Sequence, residues 1–306
     1  MPAARSAGLV AAVALDALLG DPARLHPVAG FGQAAAALER RTYRPSRRAG
    51  AAHAAVLVAI PTALAARAAR GGTLRRTLAI AACGWAALGG RSLRHTALQM
   101  ADLVDAGDLP AARHLARSLV ARRTDALDGP ELTRAALESL AENTADAEAG
   151  TLVWTAIAGA PGAVAHRAAN TLDAMVGYRS ARYDRFGWAA ARLDDVLGWP
   201  AARACAAATV AAAALTGEDA RGALRAWRRD GARHPSPNAG RVEAAFAGAL
   251  GVTLGGANDY GGRIEHRPRL GDGPPPDTAA LRRAVRLSAT AGALLAATSA
   301  GVAAWR

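Results

Sequence analysis

The chain has 306 residues, 52% apolar but only 4% aromatic, which excludes general disorder and a sheet core built on rings and β-branched side chains. Its formal net charge of +12 is carried by arginine without a single lysine. The arginines are scattered between apolar segments and not interleaved with stacking aromatics, which argues against a nucleic-acid surface and for a lipid bilayer or an anionic substrate. Cys83 and Cys205 each lie inside an Ala-rich run, so neither a disulfide framework nor a cysteine zinc site is expected. Helices packed through small residues are the fold such a composition predicts: an all-α, polytopic integral membrane protein, read as one domain over 1–306.

Residues 7–20 form the first apolar segment. Asp16 interrupts it and no small-residue cleavage site leads into a polar start, so it reads as a retained membrane helix and not a signal peptide. In GDPARLHPVAGFGQ, Pro22 and Pro27 hold the chain extended and present Asp21 and His26 at the helix end, as a cap or as ligand contacts. Arginines flank the next segment, 51–66, on both sides and leave its orientation open by the positive-inside rule. Segment 77–90 only approaches the ~20 residues a span requires.

From Arg91 to Glu148 the pattern turns soluble, with apolar positions at helical spacing and a helix start at Asp108-Leu109-Pro110. Helical spacing places Glu131, Glu138 and Glu142 near one face before Asn143 and Thr144 break the pattern. Segment 150–165 is apolar but interrupted by Gly159, Pro161 and Gly162. A full crossing would put the polar clusters on its two sides in opposite compartments, so a re-entrant or protein-buried hairpin is expected. Segment 201–215 is treated alike, being weakly hydrophobic enough for a buried soluble helix. Between 216 and 286, HPSPNAG sets His234, Ser236 and Asn238 on a stiff loop leading into a helix that carries Glu243. Glycines 255, 256, 261 and 262 surround Asn258, Asp259 and Tyr260, as a loop approaching a ligand requires. Segment 287–305 is the last apolar run, and Trp305 and Arg306 suit an interfacial anchor. No internal repeat is visible.

The polar residues concentrate between Glu138 and Asp195, where Asn, Asp and Tyr crowd around a short apolar core and are costly to bury unpaired. No glycine-flanked nucleophile, GK[ST] loop or histidine pair with ligand spacing is present, which argues against covalent catalysis. Asp194 with Asp195, and Glu138 with Asp146, instead suit a divalent cation with oxygen ligands; a capping or solvated pair is the plainer reading of the first. Arg167, Arg179, Arg192 and Arg267 suit bidentate binding of phosphate or carboxylate.

HPVAGFGQ, ESLAENTAD, HRAANTLDAMVGYR, YDRFGWAAARLDD and HPSPNAGRVEAAFAGALGVTLGG, followed by Tyr260 and RPRLG, resemble the CobD/CbiB family of cobalamin biosynthesis in content, order and spacing from about Asp21 to Gly271. The resemblance implies a multi-pass enzyme of the cell membrane with its site on the cytoplasmic side. The implied reaction is ATP-dependent amide ligation, joining the propionate carboxyl of adenosylcobyric acid to (R)-1-aminopropan-2-ol O-phosphate, or to the free aminoalcohol, through an acyl phosphate. Implied cofactors are ATP and Mg2+; implied partners are the corrinoid, the aminoalcohol phosphate and the bilayer, with other pathway enzymes as candidates. On this reading Glu138, Asp173, Asp194, Asp195 and His234 are catalytic, and Asp146, Asp173, Asp194 and Asp195 hold the metal. Asp21, His26, Asn143, Arg167, Asn170, Tyr178, Arg179, Tyr183, Ser236, Asn238, Glu243, Tyr260 and Arg267 contact substrates. The chain departs from the family pattern at Ala147–Thr151 and Val196–Pro200, which puts the local backbone there in question. The competing readings are a membrane corrinoid carrier or scaffold, and a transporter; the latter would place its polar groups within the spans.

Overall fold

The computed structural model describes residues 2–22, 26–120, 122–178, 180–259 and 264–305. In chain order the helices are α1 (Pro2–Leu19), α2 (Pro27–Thr42), α3 (Arg47–Ala68), α4 (Thr73–Ala87), α5 (Gly90–Asp105), α6 (Leu109–Ala116) and α7 (Gly129–Asn143). A π-helical turn, Thr144–Ala149, leads to α8 (Gly150–Ala158) and α9 (Ala160–Leu172), and a second, Asp173–Gly177, follows α9. Then come α10 (Tyr183–Phe186), α11 (Trp188–Thr216), α12 (Ala220–Asp230), α13 (Ala239–Leu250), the strands β1 (Leu254–Asp259) and β2 (Ile264–Leu270), and α14 (Thr278–Trp305). Among the described residues four helices, α1, α3, α11 and α14, are long and apolar enough to cross a membrane. The protein is all-α and polytopic, its sheet content limited among the described residues to one hairpin.

Two of the expected segments fall differently. Segment 77–90 lies largely in α4, whose 15 residues rise only ~22 Å against the ~30 Å of a bilayer core, and α4 is not among the four. Segment 201–215 is not a separate short helix but the second half of the 29-residue α11, which continues through Pro200. Proline removes one backbone hydrogen bond but does not end a helix held by its neighbours.

The chain divides into two compact units. The first comprises Met1–Gly89, Asp146–Ala201 and Leu295–Arg306; the second comprises Gly90–Ala145 and Ala202–Leu294. In the first, α1 packs on α4, and α9 on both α3 and α8. Small residues make this possible: a Cβ on Gly8 would lie 2.7 Å from Ile80 Cβ, and one on Gly84 the same distance from Ala12 Cβ. Gly159, at φ +67°, breaks the apolar segment 150–165 into α8 and α9, and Pro161 opens the second helix.

In the second unit α7 begins with a capping box, in which Asp128 accepts from the Glu131 N–H at 2.9 Å and Glu131 accepts from the Asp128 N–H at 3.0 Å. Its apolar face, Leu132, Leu137 and Leu140, is fully buried, each side chain contributing ~1.5–3 kcal/mol. Asn143 and Thr144 do not stop this helix; they widen it into the π-helical turn, with Thr144 Oγ1 donating to Leu140 O at 2.7 Å. Helices α12 and α13 cross where Gly222 and Gly248 leave room for each other's backbone. The glycine-flanked stretch expected as a loop is instead the antiparallel hairpin β1–β2, with an irregularity between Leu254 and Gly256. Gly255, at φ +84°, faces the Pro268 carbonyl too closely for any side chain.

Candidate functional site

Each unit carries its own polar cluster. In the second unit, α7 sets Glu138 and Glu142 one turn apart, α13 supplies Glu243, the 231–238 loop His234, and the hairpin Asn258 and Arg267. Glu138 accepts from Arg122 Nη1 at 3.0 Å, Arg134 Nη1 at 3.0 Å and the Gly255 N–H at 2.9 Å. Arg122 also donates to Asn258 Oδ1, and its side chain is only 3% exposed. So Glu138, 13% exposed, is a doubly paired carboxylate that ties the hairpin to α7.

Glu142 and Glu243 are different. Burial pushes both carboxyls above the usual range, and the neighbouring Glu138 charge adds to the effect while Arg267 opposes it. His234 is pushed down to about 4 by burial and then by Arg267, so it is neutral near pH 7. Its Nδ1 faces the Ser236 N–H at 3.1 Å, and its Nε2 lies 2.9 Å from Arg267 Nη1 and 3.8 Å from Glu243 Oε1. A neutral imidazole accepts at one nitrogen only, so the Ser236 and Arg267 contacts compete for its single lone pair. Three neighbours thus hold the ring in place.

Ser236 Oγ accepts from the N–H groups of Asn238 at 3.3 Å and Ala239 at 3.2 Å, which makes it the cap of α13. Asn238 Oδ1 accepts from Arg203 Nη1 at 3.1 Å. Asn143 bonds back to its own helix at Ser139 O, 2.9 Å.

In the first unit the cluster forms around Arg167. Asn170 receives a long contact from Arg167 Nη1, 3.4 Å, and donates to Asp146 Oδ2 at 3.3 Å. Burial lowers the Arg167 pKa while Asp146 and Asp21 hold it up, and its Nε finds no hydrogen-bond partner among the described residues. His166, 1% exposed, lies where any side chain on Gly150 would have to go; burial and the Arg167 charge push it down to about 4. Asp21 and His26 do meet, Nε2 to Oδ1 at 3.6 Å, while His26 Nδ1 accepts from the Val28 N–H and caps α2.

Asp146 and Asp173 sit on the two π-helical turns, and both turns grow from one local sequence, Asn143-Thr144-Ala145-Asp146-Ala147 and Asn170-Thr171-Leu172-Asp173-Ala174. This short echo is an internal similarity below the length of a repeat, and π turns concentrate at functional sites. Asp173 Oδ1 rests on Gly177, where a Cβ would collide with it. Asp194 and Asp195 are adjacent on α11, where neighbouring side chains leave the helix ~100° apart. Asp195 pairs with Arg192 at 3.4 Å near the surface. Among the described residues no group of three or more His, Cys, Asp or Glu side chains is placed to hold a metal, so the four aspartates do not form a closed cage.

Tyr183 hydroxyl donates to Glu39 Oε1 at 3.0 Å and stacks edge-on with Tyr178 at 5.1 Å, while Arg182 pairs with Glu39 at 2.8 Å. Sequence reasoning missed Glu39, Arg122 and Arg134; only the i, i+4 spacing of Arg134 and Glu138 signalled any of them. Arg179 and Tyr260 lie outside the described residues.

A family model described as CobD/Cbib protein matches residues 9–288. The "Cobalamin biosynthesis protein CobD" of Mycobacterium tuberculosis (strain CDC 1551 / Oshkosh) is 55% identical over 285 residues, covering 93% of this chain and 91% of that one. Its namesakes in Geobacter metallireducens, 44% identical over 94% of this chain and 93% of the relative, and Rhodobacter capsulatus, 38% over 92% of each, match equally broadly. No solved structure matches. The chain belongs to the CobD/CbiB family, whose named members serve cobalamin biosynthesis.

Proposed function

We infer that this protein is a cobalamin-pathway ligase of the cell membrane, with its site toward the cytoplasm. It joins the propionate carboxyl of adenosylcobyric acid to the amine of (R)-1-aminopropan-2-ol O-phosphate, or of the free aminoalcohol, to give adenosylcobinamide phosphate. The observation that supports amide formation best is the buried cluster in which His234 stands between Arg267 and Glu243, one cation beside two carboxyls that burial keeps from ionising. Amines attack only after losing their ammonium proton, and a carboxyl raised by burial, as at Glu142 and Glu243, is a better match for that proton than a His234 pushed down to about 4. Arg267 holds a carboxyl or phosphoryl oxygen, and the reluctantly ionised Glu142 and Glu243 take up or return protons without adding full negative charge beside that oxygen.

ATP with Mg2+, when bound, supplies the activation of the carboxyl. The donor set in the first unit fits them: Mg2+ binds through one or two carboxylates with substrate phosphates and water completing its shell. Asp146 is the carboxylate, with Asp173 a second candidate, and the unsatisfied Arg167 Nε is a donor awaiting a phosphate oxygen. Asp194 and Asp195 remain candidates for the nucleotide's further contacts. Arg179 would bind phosphate or the activated carboxyl, as Arg167 would, while Asn143, Asn170, Asn238 and Tyr178 would position the amide-forming groups.

The test is turnover by purified protein in detergent with adenosylcobyric acid, aminopropanol phosphate, Mg2+ and ATP, the corrinoid followed by mass spectrometry. A mass gain matching the new amide, dependent on ATP and amine, is the expected result. Tight corrinoid binding with no conversion would make the protein a carrier or scaffold instead.

A further inference from the structure

Two of the helices apolar enough to span a membrane, α3 and α11, begin side by side. The Arg47 guanidinium, at the first residue of α3, lies 5.3 Å from the centre of the Trp188 ring, at the first residue of α11. Tryptophan and arginine at the first turns of spanning helices belong at the membrane–water boundary, where an amphipathic ring sits among headgroups and a cation reaches their phosphates. Trp188 is 43% exposed, so its ring is available to that layer.

A pocket of about 560 Å3 opens at this point, lined by Ser46, Arg47, Arg48, Asp184 and Arg185. Its walls are fixed. A side chain on Gly50 would collide with the Phe186 carbonyl, so α10 presses directly on the first turns of α3 and holds Asp184 and Arg185 beside Arg47 and Arg48. Three guanidinium groups therefore face one carboxylate, and among the described residues neither Arg48 nor Arg185 enters an ion pair. Ser46 Oγ takes only the Ala49 N–H, at 3.2 Å, so the positive end of α3 adds to the same field.

We propose that this pocket binds a phosphate ester, and that the headgroup of an anionic membrane lipid is its source. Uncompensated positive charge walled by a helix start and two guanidinium forks suits bidentate phosphate binding. The position at the mouths of two spans, with Trp188 alongside, favours a lipid over a soluble phosphate. The proposal rests on the membrane fold and not on the ligase reading.

The experiment uses the full chain in a neutral detergent. Native mass spectrometry and melting temperature are read with added phosphatidylglycerol, phosphatidylcholine, inorganic phosphate or ATP, for the wild type and for Arg47→Gln/Arg48→Gln/Arg185→Gln. Expected is retention of phosphatidylglycerol over phosphatidylcholine, with a thermal shift, weakened on the order of a hundredfold in the triple variant at ~5-fold per arginine near an anionic surface. The same loss seen with phosphate or ATP and not with lipid would keep the phosphate site and assign it a soluble source. A preference undiminished in the triple variant, or no preference in the wild type, overturns the proposal. Because these arginines are exposed, folding should survive; if it does not, Arg185→Gln alone and the salt dependence of wild-type lipid retention carry the test.

Discussion

His166 fills the space in which any side chain at Gly150 would have to stand. This contact joins the start of α8 to the middle of α9 and holds the histidine beside Arg167 and Asn170. Gly150→Ala forces the ring or the backbone to move; overpacking of this kind costs ~1–3 kcal/mol. The expected result is a lower melting temperature together with reduced turnover. An alanine variant as stable and as active as wild type would show that the contact does not organise the site.

Glu138 depends on Arg122 in the same way. Removing one partner of a buried pair leaves the other charge uncompensated, at ~3–5 kcal/mol. Arg122→Ala should therefore destabilise far more than Arg117→Ala, whose ion pair with Asp125 is exposed on both sides. Comparing Arg122→Ala, Glu138→Gln and the double variant separates the pair from the rest of the network, and additive effects would mean the two do not couple.

The buried histidines impose a pH dependence. His166 and His234 have folded pKa values of about 4 against an ordinary 6.5, so between these values the unfolded chain binds more protons than the folded one. The stability they allow is fully present above pH 6.5 and is lost as pH falls toward 4, by up to ~3 kcal/mol from each. Glu142 and Glu243, raised by burial, act in the opposite sense: their contribution is present below about pH 4.5 and is lost as pH rises through their elevated values. Melting temperatures of wild type and His166→Gln measured from pH 4 to 7 should differ in slope, the variant being flatter. Parallel curves would refute the burial of a neutral His166.

Asn170 holds Asp146, and on the ligase reading such an outer partner of a metal-binding carboxylate is worth roughly 10–100-fold in metal affinity or activity. Asn170→Ala should lower turnover within that range and raise the Mg2+ concentration needed for half-maximal rate, with the protein still in the membrane. Asp173→Ala should abolish product altogether. Turnover unchanged in both variants would remove the π-helical turns from the site.

What the sequence determined alone were the features that depend on near neighbours. Apolar runs marked α1, α3 and α14; Asp108 with Pro110 marked the start of α6; and HPSPNAG marked the stiff loop before α13. The motifs sufficed for the family, since residue identity and order survive without coordinates. Only the tertiary structure decided the partners. The partners of Glu138 could not be read from the sequence because Arg122 and the Gly255 N–H reach it from distant parts of the chain. For Asp194 and Asp195, adjacency in sequence hides the ~100° turn between neighbours on a helix. Burial is likewise a property of the packed chain, so the neutral state of His166 and His234 could not be read from composition. Nor could the meeting of Arg47 with Trp188, which exists because Gly50 lets α10 press against α3 at the point where two apolar helices begin.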